Sequence, residues 1–368
     1  MVPSPYSTLW DGNVRIRGPE YRLRTIGRVD LGVAGTSTFM SLRPVVRDVM
    51  SSEDYSVDYE LSDDAENIHS VWDNSLDPVL TVEPGEVVRF ECRDALDGQV
   101  GPDSTAEDMA NASFDPVHPL TGPVAVEGAE PGDVLAVDLL DFEHKGWGFT
   151  GYMPGEMGLG LLPEDFPEAG LHVWDLDGDV GHFVNGIEVP LDMFPGIAGV
   201  APAEDGEHDT LPPRDVGGNM DVKHMTKGST VYFPVKNEGA LFSTADCHAA
   251  QGDGEVCVTG IEAPMFVTAR FDVRTDMDIQ QPQFETTGPF TPTGQDEPMY
   301  ATTGIADDLM EATKKAVRHM IDHLHDHRDL TRGEAYILCS AAVDLKISEV
   351  VDAPNWTVTA YLPESIFP

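Results

Sequence analysis

From Asp246 to Glu255 the chain reads DCHAAQGDGE, which sets carboxylates and an imidazole beside a carboxamide and two glycines. Asp246 and His248 are two apart, so in extended backbone their side chains leave the same face. An aspartate and a histidine so placed offer the O and N donors that zinc and other divalent ions accept. Glu255, just past the glycines, is the candidate to take a proton from a bound water. Gln251, with the backbone N–H groups of Gly252 and Gly254, is the candidate substrate-holding set. The alternative is an acidic, solvated loop in a chain that is acidic throughout. The histidine, the glutamine and the paired glycines argue against it.

Other groups are candidates to join this stretch. In GGNMD, Asp221 is a third candidate metal ligand, and Asn219 is a candidate donor to a developing oxyanion; both are also the residue types of an Asx turn. His118, in HPLTGP, is a candidate acid/base group or ligand, or else a strand cap. Glu262, Asp253 and His69 remain further possible ligands. His319, His323 and His327 share one helical face, but Asp322 and Asp326 beside them read as solvent-facing. Cys247 lies between Asp246 and His248, yet adjacent strand residues point apart, which gives a poor nucleophile–base geometry. GxSxG and HExxH are absent, and no GxGxxG or P-loop stands in a strand-helix context.

The elements that must position these groups read as mainly β. Ser229 to Val235 and Ala240 to Ser243 are two β-like runs around a short Gly-containing connection, which predicts a hairpin. The following Thr244 to Glu255 is expected as a loop. Upstream, Val88, Phe90 and Cys92 alternate with polar neighbours, which predicts a half-buried strand after the turn at Pro84-Gly85. Pro131-Gly132-Asp133 and, more loosely, Lys227-Gly228-Ser229 repeat that grammar. The glycine supplies φ > 0, and in the first two the acid that follows it can bond a nearby backbone N–H. Residues 145–218, rich in Gly, Pro and aromatics, are expected to wrap the β core with few strong strands, and PGIAGVAP to be tightly turned. Leu309, Thr313, Ala316, Met320 and Leu324 recur at helical spacing, and Thr331 with Glu334 forms a capping box for a second helix. The expected organisation is β-sandwich or barrel-like subdomains with a smaller α+β segment near the C-terminus. Its three regions are 1–145, 146–280 with the site, and 281–368.

Charge sets the environment rather than the activity. Sixty-five acidic residues against 22 basic give −43. Such self-repulsion disfavours a compact state in dilute buffer, but at about 1 M salt the Debye length falls to about 3 Å. The expectation is a halophilic protein of a salt-rich cytoplasm. An acidic surface has no basic patch for nucleic acid or anionic lipid. No signal-like start, no run long enough to span a membrane, and four cysteines without CxxC spacing fit a reducing, cytoplasmic location.

HPLTGPVAVEGAEPGDVL, then PPRDVGGNMD, then KGSTVYFPVKNEGALFSTADCHAAQGDGEVCVTGIE resemble the acetamidase/formamidase family, with similarity from about Trp72 to the C-terminus. The resemblance implies a β-rich fold, a homo-oligomer (dimer or higher), and hydrolysis of small linear amides to carboxylate and ammonia. It centres the site on Asp246, His248, Gln251, Asp253 and Glu255, with Asn219, Asp221 and His118 nearby. The resulting expectation is an amidohydrolase using metal-activated water, with zinc as the ion. A non-catalytic metal- or ligand-binding protein of the same fold is the alternative.

Overall fold

The computed structural model describes residues 55–113, 115, 117–286, 298–351 and 354–368. The arginine-rich, strand-like reading of 14–47 lies outside the described residues, as does most of the Pro/Thr-rich connector from Gln281 to Pro298.

The turn grammar is realised as expected. Gly85 and Gly132 have φ of +97° and +102°. The Glu86 carboxylate accepts from the Glu83 N–H at 2.7 Å, and Asp133 from the Glu130 N–H at 3.0 Å. Each turn delivers a strand of a six-stranded sheet, Val87–Cys92 and Val134–His144. In strand order, this sheet is Tyr59–Leu61, Val87–Cys92, Met265–Arg274, Val134–His144, Thr230–Pro234 and Gln283–Glu285. A second sheet runs Gly217–Asn219, Phe194–Val200, Phe242–His248, Leu120–Val126 and Ile68–His69, with Leu80–Val82 also on Leu120–Val126. Phe90 and Phe271 of the first sheet meet Phe242 of the second at 5.9 and 5.2 Å between ring centroids. The core is therefore that of a β-sandwich. Both sheets mix strands from 1–145 with strands from 146–280, so the two regions share one core.

The predicted hairpin does not form. Thr230–Pro234 belongs to the first sheet and Phe242–His248 to the second. Gly239, Ala240 and Leu241 all have positive φ, and these three successive left-handed residues turn the chain from one sheet to the other. Strand pattern alone does not say which sheet a run joins.

Residues 145–218 are also more regular than expected. They hold a four-stranded sheet of Trp147–Tyr152, Gly170–Asp177, Val180–His182 and Glu188–Pro190, with Trp174 stacked on Phe183 at 5.0 Å. PGIAGVAP is not a tight turn but largely the buried strand Phe194–Val200. Its small residues let neighbouring backbones approach: a Cβ on Gly199 would lie 2.7 Å from the Gly218 nitrogen.

The C-terminal α+β segment is as expected. The helices Leu309–His327 and Arg332–Ala342 accompany a sheet of Met299–Ala306, Trp356–Pro363 and Asp344–Glu349. Asp308 caps the first helix and the Thr331/Glu334 capping box starts the second. The buried face of the long helix is Ala312, Ala316, Val317, Met320, Ile321 and Leu324, while Leu309 is exposed at its edge. His319 bonds the Thr303 carbonyl at 2.9 Å and His323 stacks on Tyr300, so these two histidines contact the sheet, and among the described residues they belong to neither candidate metal-ligand group.

Candidate active site

Asp246 and His248 are not on a loop. They end the strand Phe242–His248, which pairs with Phe194–Val200 through Phe194↔His248, Pro195↔Cys247 and Ile197↔Ala245. Their side chains meet as the two-residue spacing predicts, although Asp246 itself has left-handed backbone rather than extended. Cys247, between them, joins the hydrophobic core beside Cys92, and burial with that second thiol pushes its pKa well up. A cysteine nucleophile is not supported.

Beyond His248 the chain leaves and returns. Ala249 N–H donates to the Ile261 carbonyl and Ile261 N–H to the Ala250 carbonyl, both at 2.8 Å. This closure makes Glu262 neighbour to His248 on one side and to Phe149 on the other through two antiparallel bridges. The loop so enclosed carries Gln251 and Glu255.

Four carboxylates surround one imidazole nitrogen. From His248 Nε2 the distances are 3.1 Å to Glu262, 3.6 Å to Asp246, 3.9 Å to Glu255 and 4.0 Å to Asp221. The other ring nitrogen, Nδ1, lies 2.7 Å from Gln251 Oε1, and Gln251 Nε2 donates to the Asp221 carbonyl at 2.9 Å. A carbonyl only accepts, so the glutamine turns its NH₂ to Asp221 and its oxygen to His248. In the neutral ring the hydrogen then sits on Nδ1, and Nε2 presents a lone pair to the carboxylates. A ring oriented through its far nitrogen in this way is the arrangement of a metal-ligating histidine.

The buried polar atoms fit an ion. His248 Nε2, Asp221 Oδ1 and Glu262 Oε2 are buried without hydrogen-bond partners. The ligand-type atoms fall into two groups, Asp221/His248/Glu255 and Asp246/His248/Glu262, each within 4.8 Å. Gly196 keeps the space clear: a Cβ there would lie 2.7 Å from Asp221 Oδ1 and 3.0 Å from His248 Nε2.

The electrostatics agree. Burial pushes Glu262 up to about 8 and Asp221 up to about 7, and raises Glu255 well above the usual carboxylate range, with Asp221 adding to it. Burial alone would lower His248, but Glu262 and Asp246 raise it well above an ordinary imidazole. For Asp246 burial acts upward, and the charges of His118 and His248 outweigh it and hold the group low. The cluster carries more negative charge than one imidazolium balances, so protons or a cation must supply the rest.

A cavity of about 120 Å³ opens on this cluster, lined by His118, Asn219, Asp221, Asp246, Glu255 and Glu262 on its polar side. His118 Nε2 is 3.9 Å from Asp246, its Nδ1 has no partner, and burial lowers its pKa. Asn219 gives one amide hydrogen to the Leu211 carbonyl at 3.1 Å. Three expected substrate contacts lie elsewhere. Gly252 and Gly254 back onto Val343 and Leu345, where a Cβ would clash, and neither lines the cavity. Gln251 is spent on His248 and Asp221. His69 is engaged by Val71 and Ser243, and Asp253 faces Lys223. Glu262 is the main gain: its sequence signal, a lone acid at the end of a strand, left open whether it pointed inward or to solvent.

Residues 54–209 and 203–368 match the Acetamidase/Formamidase family. The chain is 32% identical over 364 residues to a formamidase of Methylophilus methylotrophus, covering 82% of this chain and 89% of that one. It is 32% identical over 381 residues to an acetamidase of Mycolicibacterium smegmatis, covering 82% and 92%. Among solved structures it is similar to a gamma lactamase from Delftia acidovorans, with TM-score 0.78 and 30% identity over 84% of this chain and 93% of that one. An acetamidase from Bacillus halodurans gives TM-score 0.58 and 31% identity over 82% and 96%.

Proposed function

The chain belongs to the acetamidase/formamidase family and hydrolyses the carbon–nitrogen bond of small linear amides to carboxylate and ammonia; we propose that it does so in the cavity beside His248, with a divalent cation held by Asp221, Asp246, His248 and Glu262, and with Glu255 left free as the base. One observation carries this reading. Three buried, unpartnered ligand atoms, on His248, Asp221 and Glu262, border a space that glycine at 196 leaves free. One imidazole among carboxylates suits zinc, the ion we propose, and also the harder divalent ions.

When bound, such a cation polarises the amide carbonyl and lowers the pKa of a water from 15.7 towards about 7. The chain's own groups do the rest. Glu255 accepts the proton of the attacking water and returns it to the leaving nitrogen, with His118 as the alternative donor in its protonated form, which the Asp246 carboxylate favours and burial opposes. Asn219 keeps a second amide hydrogen for the tetrahedral oxyanion, worth on the order of 3 kcal/mol. Gln251 holds His248 in the tautomer that leaves Nε2 free.

His248→Ala, Glu262→Gln and Gly196→Ala should each lose bound metal by elemental analysis and at least about 10²-fold in ammonia release from acetamide, with the fold retained. Wild-type activity in His248→Ala, or in protein stripped of metal, overturns the reading.

The same reading extends to the setting. We propose a salt-rich cytoplasm, a homo-oligomer, and no nucleic-acid or membrane partner. The net charge of −43 supports the first and the last. Exposed Ile305 and Ile347 on the C-terminal sheet support contact with a second copy. Among the described residues no helix is long and apolar enough to cross a membrane.

A further inference from the structure

The cavity beside His248 has a lining of two unlike kinds. Besides the carboxylates it includes Leu96, Met109, Val117, Phe149, Met153 and Leu159. The first five belong to a hydrophobic cluster separate from the sandwich core, and Leu159 packs against that cluster. This apolar wall is firmly built. Asp94 accepts from the backbone N–H groups of Leu96 and Gly98 at 3.0 and 2.9 Å, which fixes the turn carrying Ala95 and Leu96. Met109 is fully buried and lies flush on the Gly151 backbone, where even a Cβ would meet its Cε at 3.0 Å. Phe149 starts beside the reaction centre, because its N–H donates to the Glu262 carbonyl at 2.8 Å.

Formamide has no carbon to place against such a wall. The cavity's 120 Å³ is also many times the roughly 10–15 Å³ that lodges one water. We infer that the apolar lining is an acyl-chain subsite and that the preferred substrates are primary amides of unbranched three- or four-carbon acids. This rests on the proposal that amides are cleaved in this cavity. Ala95 is a small residue of the same lining, so a larger side chain there would take up room the acyl chain needs.

The test compares acetamide, propionamide and butyramide, whose carbonyls have the same alkyl-amide chemistry. Each methylene buried favours the transition state about fourfold, so kcat/KM should rise about 15-fold across the series. Ala95→Leu should reverse the trend, and Leu159→Ala should move the optimum to a longer chain. Calorimetry of acetate and butyrate, which needs no turnover, should show butyrate binding about 15-fold tighter. Ammonia released equally from all three amides, with butyrate bound no tighter than acetate, overturns the subsite and leaves the catalytic reading standing. Tighter butyrate with no amide cleaved upholds the subsite and overturns the catalytic reading. Should Ala95→Leu fail to fold, the Leu159→Ala shift decides in its place.

Discussion

Asp221, Asp246, Glu255 and Val258 line one cavity, and all four have left-handed backbone, which costs a non-glycine residue about 1–3 kcal/mol. Val258, β-branched and at φ +88°, is the most unfavourable of them. The strain is spent where carboxylates must be aimed at one point. On the proposed ligand set, protons and a cation would compete for the same oxygens. Glu262 at about 8 and Asp221 at about 7 are raised above ordinary carboxylates, so in ion-free protein they are protonated below those values. Asp246, Glu255, His118 and His248 face them across the cluster. Binding must displace those protons, so apparent zinc affinity should rise at least tenfold from pH 6 to pH 8, with protons released into the buffer. A pH-independent affinity by calorimetry would count against the ligand set. At this scale the sequence was informative where chemistry is local. Asp246 and His248, two apart at the end of one strand, do reach the same cluster, although the left-handed backbone at Asp246 was not legible from the spacing. Gly196, some fifty positions away, carried no such mark, because its importance lies in which strand it pairs with.

The site is held by elements distant in sequence. Helix Arg332–Ala342 packs against the loop carrying Glu255. Ser340 donates to the Thr259 carbonyl at 2.7 Å and accepts from the Cys257 N–H at 3.1 Å, and its own carbonyl accepts from the Gly252 N–H at 2.8 Å. Tyr336 accepts from Leu161 and Leu162 N–H and donates to the Val256 carbonyl. Asp344, just past the helix, bonds buried Lys223 and the Asp253 N–H, tying the segment behind Asp221 to the same loop. Ser340→Ala leaves a buried N–H and carbonyl unsatisfied, a loss of about 1–3 kcal/mol. Its kcat/KM should fall about tenfold while its metal content stays near wild type. Unchanged kinetics would show that the loop holds its shape without the helix. The capping box and the Pro-Gly turns were legible because they are local chemistry. The crossover at 239–241 was not, since pattern reports alternation but not partner.

Over the whole chain the net charge is −43, while the core of the described residues is apolar and ordinary. Cations are few, and several are committed to pairs such as Arg318 with Asp165 and Arg270 with Asp138. The unfolding midpoint should therefore be well above its 0.1 M KCl value in 3 M KCl, where repulsion is screened. A midpoint that does not move removes the salt-adaptation reading. Composition made this scale legible, though it said nothing of how the sheets meet. They meet at Glu262, whose backbone bridges His248 of the sandwich and Phe149 of the four-stranded sheet. If Glu262 is a ligand as proposed, its place on that seam makes it a built-in gauge of assembly. As dilute buffer begins to part the two sheets, the cation should escape while the strands are still intact, so inactivation would precede denaturation, and restoring salt and metal together would reset the gauge.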